Sequence, residues 1–360
     1  MRIVQILPSL TYGDAIGNDA ICMDRVLRQA GYETKIYADY LGSGAYGDHV
    51  SMVGDLTQIQ KGDLVLYHLS IGSRLNRLVS ELTCRKIYIY HNITPAHFFA
   101  GCNPAMERKA QRGLYEIGQM RGTADMVLAV SKYNKAHLQR LGYTCPIEVL
   151  PVLIPWEDYD RASDSSILKK YKDGCYNILF AGRIAPNKKQ EDLIAAFYEF
   201  HQNFHSKSRL ILVGSEAGME SYGRELRQYV SVLGLKEEDV VFTGHVSFAE
   251  LLGFYQVADF FLSMSEHEGF GVPLVEAMYF SLPVVAFNAA AVGETLGESG
   301  LLLDNKEPAY VSRILRELQR HPELKEEIVA EQNRRLNDFD KDRIAEQFLS
   351  YIKRVSIKAD

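Results

Sequence analysis

Short β-branched or aromatic runs alternate with helical patterns along most of this chain, and the alternating series occurs twice. Such alternation predicts βαβ units and a parallel sheet in each series. The first series predicts strands at residues 3–7, 34–38, 64–68, 86–91, 126–130 and 147–150. The second predicts strands at 177–181, 209–213, 240–243, 260–265, 283–287 and 301–303. The pattern therefore predicts an α/β protein with two Rossmann-like, doubly wound domains.

Residues 151–166 separate the two series. They contain two prolines, the only tryptophan and four acidic residues, without helical or strand periodicity, and so predict a linker. A length of 360 residues also favours two domains over one core. We expect an N-terminal domain with linker over 1–160, a C-terminal domain over 161–340, and a helix over 341–360 that crosses back to the N-terminal domain. Ligands of such sheets bind beyond the carboxyl ends of the strands, so the cleft between the domains is the expected active site.

The charge and cysteine content exclude several classes of protein. Forty Lys and Arg against 46 Asp and Glu give a net charge of −6, which leaves no overall basic field for nucleic acid. The five cysteines are odd in number and scattered, as expected for reduced thiols. The first residues lack the pattern of a signal peptide, and no apolar run reaches the ~18 residues of a membrane span. We expect a cytoplasmic protein, either free or at the inner face of the membrane.

The most informative motif reads Glu-His-Glu-Gly-Phe-Gly-Val-Pro-Leu-Val-Glu and ends at Glu276. Gly269 and Gly271 permit a sharp turn, and Pro273 suits the first turn of a helix. Backbone N–H groups at such a helix start favour an anion such as a diphosphate. Glu268 and Glu276 are suited to accept hydrogen bonds from the vicinal diols of a sugar and a ribose. Two alternatives stay open, namely ordinary solvated acids and the carboxylate pair of a glycosidase.

A second motif follows the predicted strand 177–181. Arg183 and Lys188 emerge at the carboxyl end of that strand, where a ligand is expected. Two cations there are suited to hold a diphosphate and to stabilise its charge as it leaves. A solvated loop explains the same residues about equally well.

Together these motifs resemble those of the retaining GT-B glycosyltransferases of glycosyltransferase family 4, the group 1 glycosyl transferases. The resemblance rests on Gly182-Arg183 followed by Lys188, and on two glutamates with seven residues between them, Glu268 and Glu276. Further segments match recurring family segments in order, namely Phe242-Thr-Gly244-His-Val246, Glu250-Leu, Tyr255-Gln-Val-Ala258-Asp259, Pro283-Val-Val, Glu294-Thr and Gly300-Leu-Leu-Leu-Asp304. The resemblance implies a GT-B fold, with two Rossmann-like domains facing each other across a cleft.

The resemblance also implies roles for the C-terminal residues. Arg183 and Lys188 would bind the donor diphosphate. Glu268 would contact the transferred sugar, and Glu276 would hold the ribose diol. The other donor-binding positions that it implies are Gly182, Gly269, Phe270, Gly271 and, through backbone groups beside the base, Val246.

The N-terminal domain matches the family more loosely. Gly13, Asp14 and Gly17 resemble the family's glycine loop, with Asp14 at a position where the family often has glycine. His91 resembles the family's active-site histidine near the sugar, and His68 occupies a similar strand end. Without the resemblance, a histidine at a strand end indicates a polar capping residue more readily than a catalytic one.

Several other patterns are interpreted as non-functional. The glycine-rich segment 42–47 has the dinucleotide spacing but opens no helix. The acidic pairs at 158/160 and 338/340 stand at no strand end, so no metal is expected. The basic helical pattern 106–122 suits an anionic membrane surface, but a solvated helix face explains it equally simply and is favoured.

The sequence therefore predicts a hexosyltransferase that passes a sugar from a UDP-sugar or GDP-sugar to a hydroxyl of a saccharide or lipid-linked saccharide, with retention of anomeric configuration. No cofactor and no metal are expected, and bacterial polysaccharide or glycoconjugate synthesis is the expected role. The alternatives are a nucleotide-sugar epimerase or hydrolase on the same fold, or a non-catalytic module that binds nucleotide sugars. Formation of product without an added acceptor would indicate the epimerase or hydrolase.

Overall fold

A computed structural model describes residues 1–11, 13–42, 46–54 and 56–357. The chain divides into two compact units. Unit 1 comprises Met1–His97, Ala105–Trp156 and Phe339–Asp360, and unit 2 comprises Phe98–Pro104 and Glu157–Asp338. Among the helices in the described ranges, none has the length and apolar character that crossing a bilayer requires.

The strands of both units match the predicted alternation. In chain order they are β1 (Arg2–Leu10), β2 (Glu33–Leu41), β3 (Val50–Met52), β4 (Leu64–Leu69), β5 (Arg85–Tyr90), β6 (Met126–Ala129), β7 (Ile147–Val149), β8 (Tyr176–Ala181), β9 (Ser208–Val213), β10 (Val240–Gly244), β11 (Phe260–Ser263), β12 (Val284–Phe287) and β13 (Leu301–Leu303). All predicted strands are confirmed, within a few residues at their ends. Strand β3 was not predicted, because three residues with two half-exposed side chains and one exposed side chain give no strand pattern.

The helices lie between these strands. They are α1 (Ala15–Gln29), α2 (Arg74–Ser80), α3 (Pro104–Gln119), α4 (Lys132–Arg140), α5 (Trp156–Tyr159), α6 (Ser165–Tyr171), α7 (Gln190–Asn203), α8 (Glu220–Val232), α9 (Phe248–Val257), α10 (Val272–Tyr279), α11 (Val292–Leu296), α12 (Pro308–Arg320), α13 (Pro322–Leu336) and α14 (Lys341–Ile357). Short 3-10 turns occupy Ala96–Phe99, Met120–Gly122, Pro186–Lys188 and Asn337–Phe339. The predicted linker 151–166 contains α5 and the start of α6.

In the described part of unit 1, a parallel sheet has the strand order β3-β2-β1-β4-β5-β6-β7. Both faces are apolar, as expected for a parallel sheet covered by helices on each side. Ile3 packs in a cluster with Met23 of α1 and Phe348 of α14, whereas Val4 belongs to the cluster on the opposite face. Helix α14 thus supplies part of the core of unit 1.

In the described part of unit 2, a parallel sheet has the order β10-β9-β8-β11-β12-β13. Strands β8 and β11 are neighbours, and the order reverses between them. Loops that leave adjacent strands on either side of such a switch point diverge and open a crevice. The Arg183 motif follows β8 and the Glu268 motif follows β11, so the topology brings both predicted motifs to this crevice.

Candidate active site

The two predicted motifs of unit 2 meet through an ion pair. Lys188 Nζ donates to Glu268 Oε1 over 2.5 Å, and the two side chains are 19% and 14% exposed. The adjacent backbone reinforces the contact, because Asn187 Nδ2 donates to the carbonyl oxygen of His267 and the Glu266 amide donates to that of Asn187. The structure therefore brings Lys188 and Glu268 together in one loop pair.

Arg183 lies in the same loop but is unpaired. Its side chain is exposed, and within the described ranges its guanidinium has no hydrogen-bond or ion-pair partner. Its backbone carbonyl accepts a hydrogen bond from Gln190 Nε2, which anchors the loop to the start of α7. An anchored backbone with a solvated guanidinium leaves the five N–H donors available to an anion.

Lys306 lies beside the loops that carry Lys188 and Glu268 and forms ion pairs with two acidic residues. Lys306 Nζ donates to Asp192 Oδ2 over 2.7 Å and also contacts Glu266 Oε1. Lys189 Nζ lies 3.7 Å from Glu266 Oε2. Lys306 thus joins α7, the Glu268 loop and the residues after β13. Lys306 has no signal in the sequence, since its partners are far from it along the chain.

Helix α10 begins at the predicted glycine turn. Gly271 is its N-cap with φ of 94°, a left-handed conformation that favours glycine. A Cβ at this position would lie 2.9 Å from Leu274 Cδ1. Gly269 and Phe270 precede it, and the buried Phe270 is held by a hydrogen bond from Thr295 Oγ1 to its carbonyl oxygen. The predicted turn and helix start are confirmed.

Gly182 continues the end of β8, where its amide donates to the Val213 carbonyl oxygen. A Cβ on the neighbouring Gly214 would lie 2.0 Å from the Gly182 oxygen, so the two backbones approach closely. Val246 lies after β10, half-buried against the core of unit 2.

Glu276 is held by two tyrosines that the sequence analysis did not assign. Tyr159 donates to Oε1 over 2.5 Å and Tyr255 donates to Oε2 over 2.7 Å. Glu276 is buried, and burial raises its pKa, while the two tyrosine hydrogen bonds oppose that shift. Each carboxyl oxygen retains a second lone pair for a ligand hydroxyl. The short helix α5 in the predicted linker positions Tyr159.

The predicted glycine loop of unit 1 forms the N-terminus of α1. Asp14 is the N-cap, and its Oδ2 accepts a hydrogen bond from the Gly17 amide over 3.3 Å. Gly13 has φ of 83°, and a Cβ on Gly17 would lie 2.6 Å from the Thr11 oxygen. Asp14 therefore performs a capping role that glycine fulfils less well.

His91 stands at the end of β5 in a buried polar network. Its Nε2 lies 2.9 Å from His68 Nδ1, and His68 Nε2 lies 2.8 Å from Gln5 Oε1. Asp19 Oδ1 accepts from the Leu153 amide over 2.8 Å, while its Oδ2 is buried without a partner and lies 3.9 Å from His91 Nε2. The structure thus brings the two strand-end histidines together.

Burial changes the proton affinities in this network. It raises the pKa of Asp19 to about 7, lowers that of His91 to about 3, and lowers that of His68 well below its usual value. The donor atoms of Asp19, His68 and His91 lie within 4.8 Å of one another, a set of ligand types that metals bind. The two facing imidazole nitrogens, however, form a hydrogen bond with each other, and one of them carries its proton. The predicted absence of a metal stays a prediction.

The patterns interpreted as non-functional have structural partners. Asp158 contacts Arg161, and Asp160 accepts from Tyr279 over 2.6 Å. Asp338 pairs with Arg335, and Asp340 accepts from the Arg343 amide at the start of α14. Part of the glycine-rich segment 42–47, namely residues 43–45, lies outside the described residues.

One family model matches a part of the chain that lies within unit 2. Residues 175–320 match the family model described as glycosyl transferases group 1. These residues are a group 1 glycosyltransferase domain. All the predicted site residues of unit 2 lie within this group 1 domain, from Gly182 in the loop after β8 to Glu276 in α10.

Two curated relatives match part of the chain. The chain is 28% identical over 203 residues to the O-antigen chain mannosyltransferase B of Escherichia coli, a match that covers 55% of this chain and 52% of that protein. It is 35% identical over 164 residues to the D-inositol 3-phosphate glycosyltransferase of Acidothermus cellulolyticus, covering 44% and 36%. The matches thus span about half or less of these relatives' length.

A solved structure resembles the chain well beyond the group 1 domain. Anabaena HepE, determined in complex with UDP and glucose, matches with a TM-score of 0.76 at 21% identity, over 98% of this chain and 100% of that one. The likeness shows the fold. The predicted GT-B architecture, with two Rossmann-like α/β domains, is confirmed.

Proposed function

We propose that this protein is a retaining hexosyltransferase that moves a sugar from a nucleotide-diphosphate sugar to an acceptor hydroxyl. The observation that carries the proposal is the Lys188–Glu268 pair beside the unpaired Arg183, all within the group 1 domain. The pair joins a cation suited to the diphosphate with a carboxylate suited to the sugar. A donor that spans the two would have its cleaved bond between them.

Stabilisation of the departing diphosphate is the chemistry assigned to the cations. Arg183 offers a planar fork for bidentate contact with phosphate oxygens, and Lys188 keeps N–H donors beyond the one given to Glu268. The start of α10 at Gly271 adds backbone N–H groups and the positive end of the helix dipole. Fixed donors aimed at developing charge are the largest single contribution to rate in many enzymes. We propose that these groups act without a metal ion or cofactor.

Glu276 is the proposed ribose contact. Tyr159 and Tyr255 fix the orientation of its carboxyl group, and the free lone pairs are suited to a vicinal diol. The same contacts disfavour the glycosidase alternative, because Glu276 is engaged by two tyrosines and Glu268 by a lysine rather than poised as an acid and a nucleophile. The HepE complex with UDP and glucose supports a nucleotide-sugar donor. The base stays open between UDP and GDP.

Retention is proposed to follow from attack by the acceptor on the face that the diphosphate leaves, with the departing phosphate accepting the acceptor's proton. His91 is the proposed contact of unit 1 to the transferred sugar. The proposed acceptor is a bacterial saccharide or lipid-linked saccharide. The similarity to the O-antigen chain mannosyltransferase B of Escherichia coli supports this proposal. A lipid-linked acceptor would place the enzyme in the cytoplasm at the inner face of the membrane, where the basic residues of α3 would make a peripheral contact.

The proposal is tested with a panel of UDP, GDP, dTDP and their sugars in thermal-shift and calorimetric measurements. One nucleotide is expected to raise the melting temperature of the wild type and to do so much less in Arg183→Ala. NMR of the product formed with an added acceptor, in the presence of a chelator, then reports the anomeric configuration. Product without acceptor would favour the hydrolase or epimerase, binding without transfer would favour the non-catalytic module, and inverted product would refute retention.

A further inference from the structure

The contact between His68 and His91 has a direction that its neighbours fix. Gln5 Nε2 donates to the Ala20 carbonyl oxygen over 2.9 Å, so the other end of the Gln5 amide is its oxygen. That oxygen lies 2.8 Å from His68 Nε2 and accepts hydrogen bonds only. His68 Nε2 therefore carries a proton.

The proton on His68 Nε2 determines the state of the next nitrogen. A neutral imidazole has one N–H and one lone pair, so Nδ1 of His68 is an acceptor. His91 Nε2, at 2.9 Å, must then be the donor. The ring planes differ by only 16°, which suits a hydrogen bond in the plane of both rings. Burial lowers the pKa values of both histidines, which keeps them neutral near pH 7 as this deduction requires.

We infer that Gln5 and His68 are positioning residues that hold His91 as its Nε2-protonated tautomer, so that His91 Nδ1 accepts a hydrogen bond from a hydroxyl of the transferred sugar. In the described residues Nδ1 has no hydrogen-bond partner. The inference about the sugar rests on the proposed function, whereas the inference about the tautomer rests on the network alone.

The sequence position of each group explains why the network is rigid. Gln5 and His68 lie on the adjacent parallel strands β1 and β4, where Gln5 is in register with Leu66. Both side chains are fully buried, and the Gln5 amide is tied to helix α1 through Ala20. Strand-borne side chains hold a neighbouring group more firmly than loop residues do. The side chains of Gln5 and His68, both on strands of the sheet, thus fix the orientation of His91.

The histidine tautomers are read by NMR on the 360-residue chain, labelled with 15N-histidine and free of ligand, through correlations of the ring nitrogens with the ring protons. His91→Gln identifies the His91 signals by their loss. The wild type is expected to show His91 protonated at Nε2. Gln5→Met keeps a similar volume but offers His68 no acceptor, so the Nδ1-protonated form of His91 should become populated and kcat/KM should fall by about tenfold, as for one lost hydrogen bond.

The matched control is Gln332→Met. Gln332 is another buried glutamine, which accepts from the Val284 amide and donates to the Leu282 carbonyl oxygen in unit 2. Its loss should lower stability and leave the His91 tautomer unchanged, which separates a positioning effect from general destabilisation.

Two results would overturn the inference. One is a wild-type spectrum that shows His91 protonated at Nδ1 or at both nitrogens. This result needs only the wild-type protein, so it can be obtained even if Gln5→Met does not fold. The other is a folded Gln5→Met protein with an unchanged His91 spectrum. Because these spectra are recorded without substrate, they do not depend on the nucleotide panel. Failure of the panel would refute the proposed function and leave the tautomer assignment standing.

Discussion

Lys188 and Glu268 form an ion pair with 2.5 Å between Nζ and Oε1, although 80 positions separate them along the chain. The contact follows from the sheet order, because β8 and β11 are neighbouring parallel strands and each residue lies in the loop that leaves one of them. The cation proposed for the phosphate and the carboxylate proposed for the sugar thus share one hydrogen bond.

Replacing Lys188 by Ala should lower kcat/KM by about 10²-fold to 10³-fold, the usual cost of one preorganised donor to developing charge. The two side chains are only 19% and 14% exposed, so leaving Glu268 without its partner should lower the free energy of unfolding by about 1–3 kcal/mol. Steady-state kinetics and urea unfolding measure the two effects. Lys236→Ala is the control, because it removes the exposed pair with Glu238 and should change neither quantity. Near-normal kcat/KM in both Lys188→Ala and Arg183→Ala would contradict the proposed function.

Replacing Tyr255 by Phe removes the hydroxyl that donates to Glu276 Oε2. The free energy of unfolding should fall by about 1.5–3 kcal/mol, the usual value for a hydrogen bond to a charged group. Donor affinity, measured by calorimetry, should fall as well, because the carboxyl group loses one of its two orienting contacts. Tyr143→Phe is the control, since Tyr143 donates to the Ile117 carbonyl oxygen in unit 1 and its loss should spare donor binding. Equal donor affinity in wild type and Tyr255→Phe would argue against Glu276 as the ribose contact.

Replacing Gly271 by Ala forces a side chain into a left-handed N-cap. The strain should lower the free energy of unfolding by about 1–2 kcal/mol, and the new Cβ should shift the Leu274 side chain at the start of α10. Gly234→Ala is matched for strain, because Gly234 has φ of 73° but an added Cβ would meet no other atom within 4 Å. Both variants should unfold more easily, and only Gly271→Ala should bind the donor more weakly. Similar donor affinities in the two variants would exclude a role for the α10 N-terminus.

The carboxyl group of Asp19 predicts a pH-dependent stability. Burial raises its pKa from 3.8 to about 7 in the folded protein, so the folded state binds the proton more tightly than the unfolded state. The stabilising contribution is complete below pH 3.8 and is lost as the pH rises through about 7.

Asp19→Asn removes this titration and keeps an oxygen for the Leu153 amide. The stability of the wild type minus that of the variant should fall by up to about 4 kcal/mol between pH 4 and pH 7, at about 1.4 kcal/mol per unit of pKa shift. Both histidines are present in the two proteins, so their opposite titration cancels in the difference. Urea unfolding across this range measures it, and a difference independent of pH would show that Asp19 stays ionised.

The strands and the two loops of the candidate active site could be predicted because their signals are local. A strand pattern, a glycine turn and a proline in the next helix are read within about a dozen residues, and parallel pairing places the ends of β8 and β11 at one edge. The partners of Glu276 could not be predicted, since Tyr159 and Tyr255 reach it from α5 and α9. Tyr255 belongs to a recurring family segment, but that segment does not indicate which side chain the tyrosine contacts.

The network of unit 1 had a weaker signal. Gln5 interrupts an apolar strand, and a polar residue at a buried strand position requires a partner. That partner is His68 on β4, which neighbours β1 in the sheet. From the sequence, His68 was recognised only as a residue at a strand end. Recognising the pair requires the register of β1 against β4, and register depends on packing that a single sequence does not reveal.

The C-terminal helix has a consequence for biosynthesis. Helix α14 contributes Ile344, Phe348 and Ile352 to the core of unit 1, yet it is translated after all of unit 2. On the ribosome, the part of this apolar face that α14 covers therefore stays exposed while nearly two hundred further residues emerge, at roughly 5–20 residues per second. Exposed apolar surface of this kind is what chaperones bind. Folding of unit 1 is completed only when α14, the last helix to be synthesised, packs onto it.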